Sequence, residues 1–102
     1  MRYSLTAQQI EDEVKEATRL AEGVKRPKGV YSLVIEPDQD QDGNPMFLIL
    51  IRVDDDPNPS DERLDELVDY EDRVIGKISD GNFASWPLVQ LVPNESRKAH
   101  EP

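Results

Sequence analysis

The spacing that most directly suggests a chemical function in this chain is that of a ligand set for a cation. It occurs in the segment Asp38-Gln39-Asp40-Gln41-Asp42-Gly43, where carboxylates alternate with glutamines. Carboxylates at every second position of a tight loop converge oxygen atoms on one hard cation, and the glycine permits a sharp turn. The pattern then departs from a calcium loop, because Ile49 stands where that loop needs a bidentate glutamate. Asp38, Asp40 and Asp42 are therefore a candidate site for Ca²⁺ or Mg²⁺, and a solvated hairpin loop is the alternative.

Side chains for nucleophilic or redox chemistry are sparse. The chain has no cysteine, and its one histidine is His100, near the C-terminal end. A histidine-based triad and a thiolate metal site are therefore not expected. Asp54, Asp55 and Asp56 follow an apolar run, but no histidine or lysine stands nearby in the sequence to complete an acid–base site. We expect no catalytic residues, and no cofactor apart from the candidate cation.

Charge is concentrated in the middle of the chain. The formal net charge is −10, and residues 36–72 hold fourteen acidic residues against two basic ones. Within this region Asp65, Glu66, Asp69 and Asp72 recur at helical spacing. Such a surface repels nucleic-acid phosphate and anionic lipid, and it attracts basic proteins. We therefore expect a basic protein partner and no direct contact with nucleic acid or membrane; the alternative is that the acidity serves only solubility.

Phe83 and Trp86 are the remaining candidates for a partner contact. Tryptophan is over-represented in the energetically dominant parts of protein interfaces. Trp86 begins an apolar segment, so it either covers the end of the core or stands exposed beside Phe83 as a binding residue.

Two helices are indicated by periodic apolar residues that follow capping residues. Thr6 and Gln9 form a capping-box pair before the apolar series of residues 10–24, which predicts a helix over residues 7–22. Ser60 precedes a second helix that ends at the Asp80-Gly81-Asn82 turn signal. Its expected apolar stripe consists of Leu64, Leu67, Val68, Val74, Ile75 and Ile78.

Three strands are indicated over residues 30–35, 47–53 and 86–92. The first two are expected to form a hairpin across a polar loop at residues 36–45. The chain is therefore predicted to be an α+β domain over residues 1–93, with a flexible tail over 94–102. Both helices would pack on one face of a three-stranded, mostly antiparallel sheet, and the partner of the last strand stays open. A homodimer joined through a sheet edge is expected, because such a sheet exposes its edges.

The organisation of the chain resembles that of small uncharacterised bacterial proteins from toxin–antitoxin or defence-type loci. The resemblance covers residues 6–93 and rests on the capped first helix, the Asp42-Gly43-Asn44-Pro45 hairpin, the acidic helix and the closing Trp86-Pro87-Leu88-Val89 strand. It implies a protein-binding accessory role and carries over no site residues. The sequence thus predicts a non-catalytic, acidic interaction module, antitoxin-like or an accessory subunit. The alternative is a cation-binding regulatory domain. With no cysteine and no signal-peptide pattern in the first residues, a cytoplasmic location is expected.

Overall fold

The computed structural model describes residues 5–54 and 59–93. The elements, in chain order, are α1 (Ala7–Glu22), β1 (Val30–Gln39), β2 (Pro45–Val53), α2 (Asp61–Asp80) and β3 (Trp86–Pro93). The predicted order of elements and the α+β class are confirmed. The predicted tail with His100 lies outside the described residues, as do Asp55 and Asp56.

Both helices begin at the predicted capping residues. The Thr6 hydroxyl accepts a hydrogen bond from the Gln9 amide at 3.1 Å, and the Gln9 side chain accepts one from the Thr6 amide at 2.8 Å. At the start of α2, the Ser60 hydroxyl accepts from the Arg63 amide at 3.1 Å. These bonds satisfy backbone donors that have no partner within the helix, so the local sequence is sufficient to place both helix starts.

The sheet has the strand order β1-β2-β3 and is mixed. β1 pairs with β2 in the antiparallel sense, with Ile35 opposite Ile49. β3 pairs with β2 in the parallel sense, with Val89 opposite Ile49. The parallel pairing follows from the connection, because α2 carries the chain from the end of β2 back to the end where β2 began.

The β1–β2 hairpin is longer than the apolar residues alone indicate. Pairing continues to Gln39 opposite Pro45, so the turn spans residues 40–44 rather than the predicted 36–45. The extra part of β1 is polar and exposed, and its ladder bonds to β2 hold it in the strand despite its low strand propensity.

Both helices cover one face of the sheet, as predicted. A single buried cluster joins residues of α1, α2, β1 and β2, and Ile49 and Ile51 at its centre are fully buried. α1 contacts β1, α2 contacts β3, and the helices contact each other, which places them in one layer. We call the helix-covered side of the sheet the inner face and the opposite side the outer face.

Candidate interaction surfaces

The four acidic residues predicted as binding residues lie together on the exposed side of α2. Tyr70, Val74 and Ile78 turn the other side of this helix into the core. The exposed acids are Asp65, Glu66, Asp69 and Asp72, and we call this surface the acidic face. Asp69 pairs with Arg73 at 2.8 Å, and in the parts of the chain that the structure describes the other three form no ion pair. The acidic face therefore offers three carboxylates that form no ion pair within the described residues, although Glu66 lines a shallow depression together with Lys25 and Arg26.

Two apolar residues that were predicted to be buried stand beside the acidic face. Leu64 is 45% exposed and Val68 is 56% exposed, so the prediction that they belong to the buried stripe is wrong. Tyr70 takes that place, and because Val68 lies two positions earlier it is rotated by about 200° around the helix from Tyr70. Leu64 and Val68 form an i, i+4 pair that is available for contact.

Charge repulsion is present within α2. Partial burial raises the pKa of the Glu71 carboxyl, and the neighbouring Asp72 carboxylate raises it further. Glu71 lies three residues after Val68, on the same side of the helix. A cationic group placed here would relieve this repulsion.

Phe83 and Trp86, which were both predicted as partner contacts, differ in burial. Trp86 is the first residue of β3, and Phe83 lies in the loop before it. Phe83 is half-buried and its ring meets the buried ring of Phe47 edge-on, with 5.4 Å between centroids. Trp86 is 41% exposed. The two residues line one open depression of about 540 Å³ with Glu13 and Pro45. Trp86 is therefore exposed and Phe83 packs against the core, and the role of both residues in binding a partner stays a prediction.

The structure does not bring the three carboxylates of the candidate cation loop together as a metal-binding group within the described residues. Asp38 is the last but one residue of β1, whereas Asp40 and Asp42 belong to the turn. The Asp40 carboxylate accepts hydrogen bonds from the amides of Asp42 and Asn44 at 2.9 Å and from the Trp86 indole at 3.3 Å. Within residues 5–54 and 59–93, no group of three or more histidine or acidic side chains is placed to hold a metal. The cation site stays a prediction.

Glu13 is an anchoring residue that the sequence analysis missed. Its carboxylate accepts hydrogen bonds from the Ala84 amide and the Ser85 hydroxyl, each at 3.0 Å, and thereby fixes the loop before β3 on α1. Glu13 and Ser85 are 72 residues apart, so no local pattern indicates their contact. The two bonds hold the residues that come directly before Trp86.

The outer face of the sheet carries no helix of the described residues, and its side chains are mixed in polarity. Strand register places the apolar residues Val34, Met46, Leu48, Leu50, Trp86, Leu88 and Val92 there, together with the polar residues Ser32, Glu36, Asp38, Arg52 and Gln90. Met46 is buried, with 6% of its surface exposed. Val34 and Leu88 are 48% and 45% exposed. The sequence does contain a signal for this surface: the run Met46–Ile51 is apolar at every position, as in strands that are covered on both faces.

Comparison with known proteins identifies no relative. No protein-family model matches the chain, and no curated protein and no solved structure is significantly similar to it. None of the helices in the described residues is long and apolar enough to cross a bilayer. The functional argument therefore rests on the surfaces themselves.

Proposed function

We propose that this chain is a non-catalytic interaction domain, of the antitoxin or accessory-subunit kind, that binds a basic protein through the acidic face of α2. The observation that supports this most directly is the exposure of three acidic residues that form no ion pair within the described residues, next to exposed Leu64 and Val68. These three are Asp65, Glu66 and Asp72. A polar rim around an apolar contact is the usual composition of a protein interface.

The chemistry of this surface indicates the partner. A basic side chain that approaches α2 gains from the carboxylates and relieves the repulsion between Glu71 and Asp72. An apolar group of the same partner would cover Leu64 and Val68. Charge attraction mainly accelerates association, and apolar contact slows dissociation. We place this activity in the cytoplasm, where the absence of cysteine is unremarkable.

The test compares two variants that carry the same change in net charge. Asp65→Asn, Glu66→Gln and Asp72→Asn remove three charges from the acidic face, and all three residues are exposed, so the fold should persist. Asp69 is kept because its substitution would leave Arg73 without its partner.

The matched control removes three charges elsewhere, at Glu11, Asp12 and Asp42, which are exposed. Each tagged protein is used to capture partners from an extract of the native host at about 50 mM and about 500 mM salt. A basic protein that is retained by the wild type and the control, but lost by the acidic-face variant and at high salt, supports the proposal. Equal capture by all three proteins contradicts it.

A further inference from the structure

A depression lined by aromatic and polar side chains lies where α1, the hairpin turn and the loop before β3 meet. Its volume is about 540 Å³, within the range of about 300–1,000 Å³ that is typical of ligand-binding sites. Its lining includes Glu13, Asn44, Asn82, Phe83 and Trp86. Among the described residues, those that line it include no basic side chain, so the depression is suited to a cationic ligand.

Two carboxylates at this depression have no basic partner among the described residues. Glu13 accepts hydrogen bonds from the Ala84 amide and the Ser85 hydroxyl, each at 3.0 Å. Asp40 accepts one from the Trp86 indole at 3.3 Å. Neither carboxylate forms an ion pair within residues 5–54 and 59–93. The oxygens of a carboxylate can accept about four hydrogen bonds, so Glu13 can accept further bonds from a cation.

Two aromatic rings form the apolar part of the lining. Phe83 packs edge-on against Phe47, which holds it on the side of the core, whereas Trp86 is 41% exposed. Because the indole of Trp86 bonds to Asp40, its ring is already held in place before a ligand arrives. An ordered indole close to carboxylates attracts a cation through its π electrons, and little conformational freedom is lost on binding.

We propose that this depression binds an arginine side chain in an extended peptide segment of a protein partner. A guanidinium is planar and weakly hydrated, so it can stack on the Trp86 indole while its N–H groups reach the Glu13 carboxylate. A lysine fits less well, because its ammonium is strongly hydrated and has no flat surface for stacking. The depression is larger than one arginine side chain, which leaves room for the adjoining residues of the peptide.

The two asparagines in the lining favour a peptide over a free cation. Asn44 donates a side-chain N–H to Asp40 at 3.3 Å, which leaves its side-chain oxygen to accept from a peptide N–H. Asn82 is exposed, and its side-chain amide can both donate to and accept from a peptide backbone. An arginine within a peptide would therefore gain contacts that a free guanidinium lacks.

This depression is separate from the acidic face, and the proposal stands without it. Asp72, the last residue of the acidic face, is eight residues before Asp80, where α2 ends. Eight residues span about 12 Å of helix, more than the Debye length of about 8 Å at physiological salt. Removing the charges of the acidic face should therefore leave binding in the depression unchanged.

An NMR titration of the isotope-labelled full chain tests the proposal. The chain has one tryptophan, so the indole N–H signal reports on Trp86 alone. The probe is a capped peptide with one arginine between two glycines on each side, added up to about 30 mM at constant ionic strength. We expect saturable shifts of the Trp86 indole and the Ala84 amide, with a dissociation constant of about 1–10 mM.

Changes in the probe test the charge, the planar group and the peptide without altering the protein. The same peptide with citrulline, which is uncharged and similar in shape, should bind at least about 10-fold more weakly. The lysine peptide and the single capped residue N-acetyl-argininamide should each bind at least about 3-fold more weakly than the arginine peptide.

Variants of the depression test where the peptide binds. Trp86→Leu should raise the dissociation constant at least about 10-fold, measured at the Ala84 amide, whereas Trp86→Phe keeps a ring and should raise it no more than about 3-fold. Leu88→Ala is the matched control, because Leu88 is 45% exposed on the same strand but does not line the depression.

The variant that combines Asp65→Asn, Glu66→Gln and Asp72→Asn should bind the peptide like the wild type. If it lost as much affinity as Trp86→Leu, the peptide would be attracted by the overall negative charge, and the proposal would be wrong. Shifts that are absent at the highest concentration, or equal binding of the arginine and citrulline peptides, would also overturn it. Equal binding of the lysine peptide would contradict the preference for arginine, and equal binding of N-acetyl-argininamide would contradict the assignment to a peptide.

Discussion

The indole Nε1 of Trp86 donates a hydrogen bond to Oδ2 of Asp40 at 3.3 Å, which joins the first residue of β3 to the hairpin turn. The other hydrogen bonds of this carboxylate come from Asp42 and Asn44 within the turn. One side chain thus both shapes the turn and holds the exposed tryptophan at the end of the outer face.

Asp40→Asn should destabilise the protein at neutral pH. The backbone amide of Asn44 contributes most to lowering the pKa of the Asp40 carboxyl, and the indole of Trp86 contributes in the same direction. A folded-state pKa below the unfolded value stabilises the fold above the ordinary pKa of aspartate, and this stabilisation is lost as pH falls through the lowered value. The difference between wild type and variant should therefore shrink on acidification.

Denaturant titrations followed by tryptophan fluorescence, from neutral pH to about pH 3, measure this difference. Asp42→Asn is the control, since it removes the same charge from a side chain that forms no hydrogen bond within the described residues. A difference between wild type and Asp40→Asn that is independent of pH would contradict the assigned role.

Glu13→Ala should release the loop before β3. It removes the acceptor of the Ala84 amide and of the Ser85 hydroxyl, and hydrogen bonds to a charged group contribute about 1.5–3 kcal/mol each. We expect faster hydrogen exchange at the Ala84 amide and a red shift of the Trp86 emission. The control is Glu11→Ala, on an exposed part of α1, which should change neither the exchange rate nor the emission. If the exchange rate of the Ala84 amide were unchanged in Glu13→Ala, its hydrogen bond to Glu13 would not hold the loop.

Two glycine substitutions should have opposite effects on stability. Gly29 has φ +95°, and an added Cβ would lie 2.5 Å from Nη1 of Arg63, which binds Asp54. Gly29→Ala should cost about 1–3 kcal/mol through backbone strain and displacement of Arg63. Gly76, inside α2, has open space around its missing Cβ, so Gly76→Ala should stabilise by about 0.5–1 kcal/mol. Thermal unfolding of both variants measures the effects, and a Gly29→Ala protein as stable as wild type would contradict the steric argument.

The edge-on contact between Phe47 and Phe83 should appear as a coupling energy. Phe47→Leu and Phe83→Leu each keep an apolar side chain, and a double-mutant cycle isolates their interaction. We expect a coupling of about 0.5–1.5 kcal/mol in denaturant unfolding. The control is the same cycle between Phe47 and the exposed Leu64, for which we expect a coupling energy near zero. If the Phe47–Phe83 pair also gave a coupling energy near zero, the contact between the two rings would not stabilise the fold.

Titration with Ca²⁺ tests the alternative function. Because Asp40 already accepts hydrogen bonds from the turn and from Trp86, a cation would have to replace them. We expect no saturable heat with CaCl₂ or MgCl₂ up to about 1 mM. Saturable heat that disappears in Asp42→Asn but persists in Glu11→Gln would instead support the cation site.

Local sequence signals were sufficient to predict where the helices begin and which residues form part of the acidic face. Thr6 and Ser60 begin the helices as predicted, because capping depends on residues within one turn. Exposure of Asp65 and Asp72 follows from helical periodicity alone. Periodicity wrongly predicted that Val68 is buried. α2 has more apolar residues than its contact with the rest of the core can bury, and the packing of the whole domain determines which of them are buried.

The sequence by itself determined the order of elements, the helix starts and the acidic side of α2, since each depends on neighbours a few residues apart. Only the tertiary structure decided that β3 lies parallel to β2 and that Glu13 holds the loop before Trp86. These features join segments that are distant in the chain. Their pairing is selected by the packing of the whole core, which no local pattern encodes.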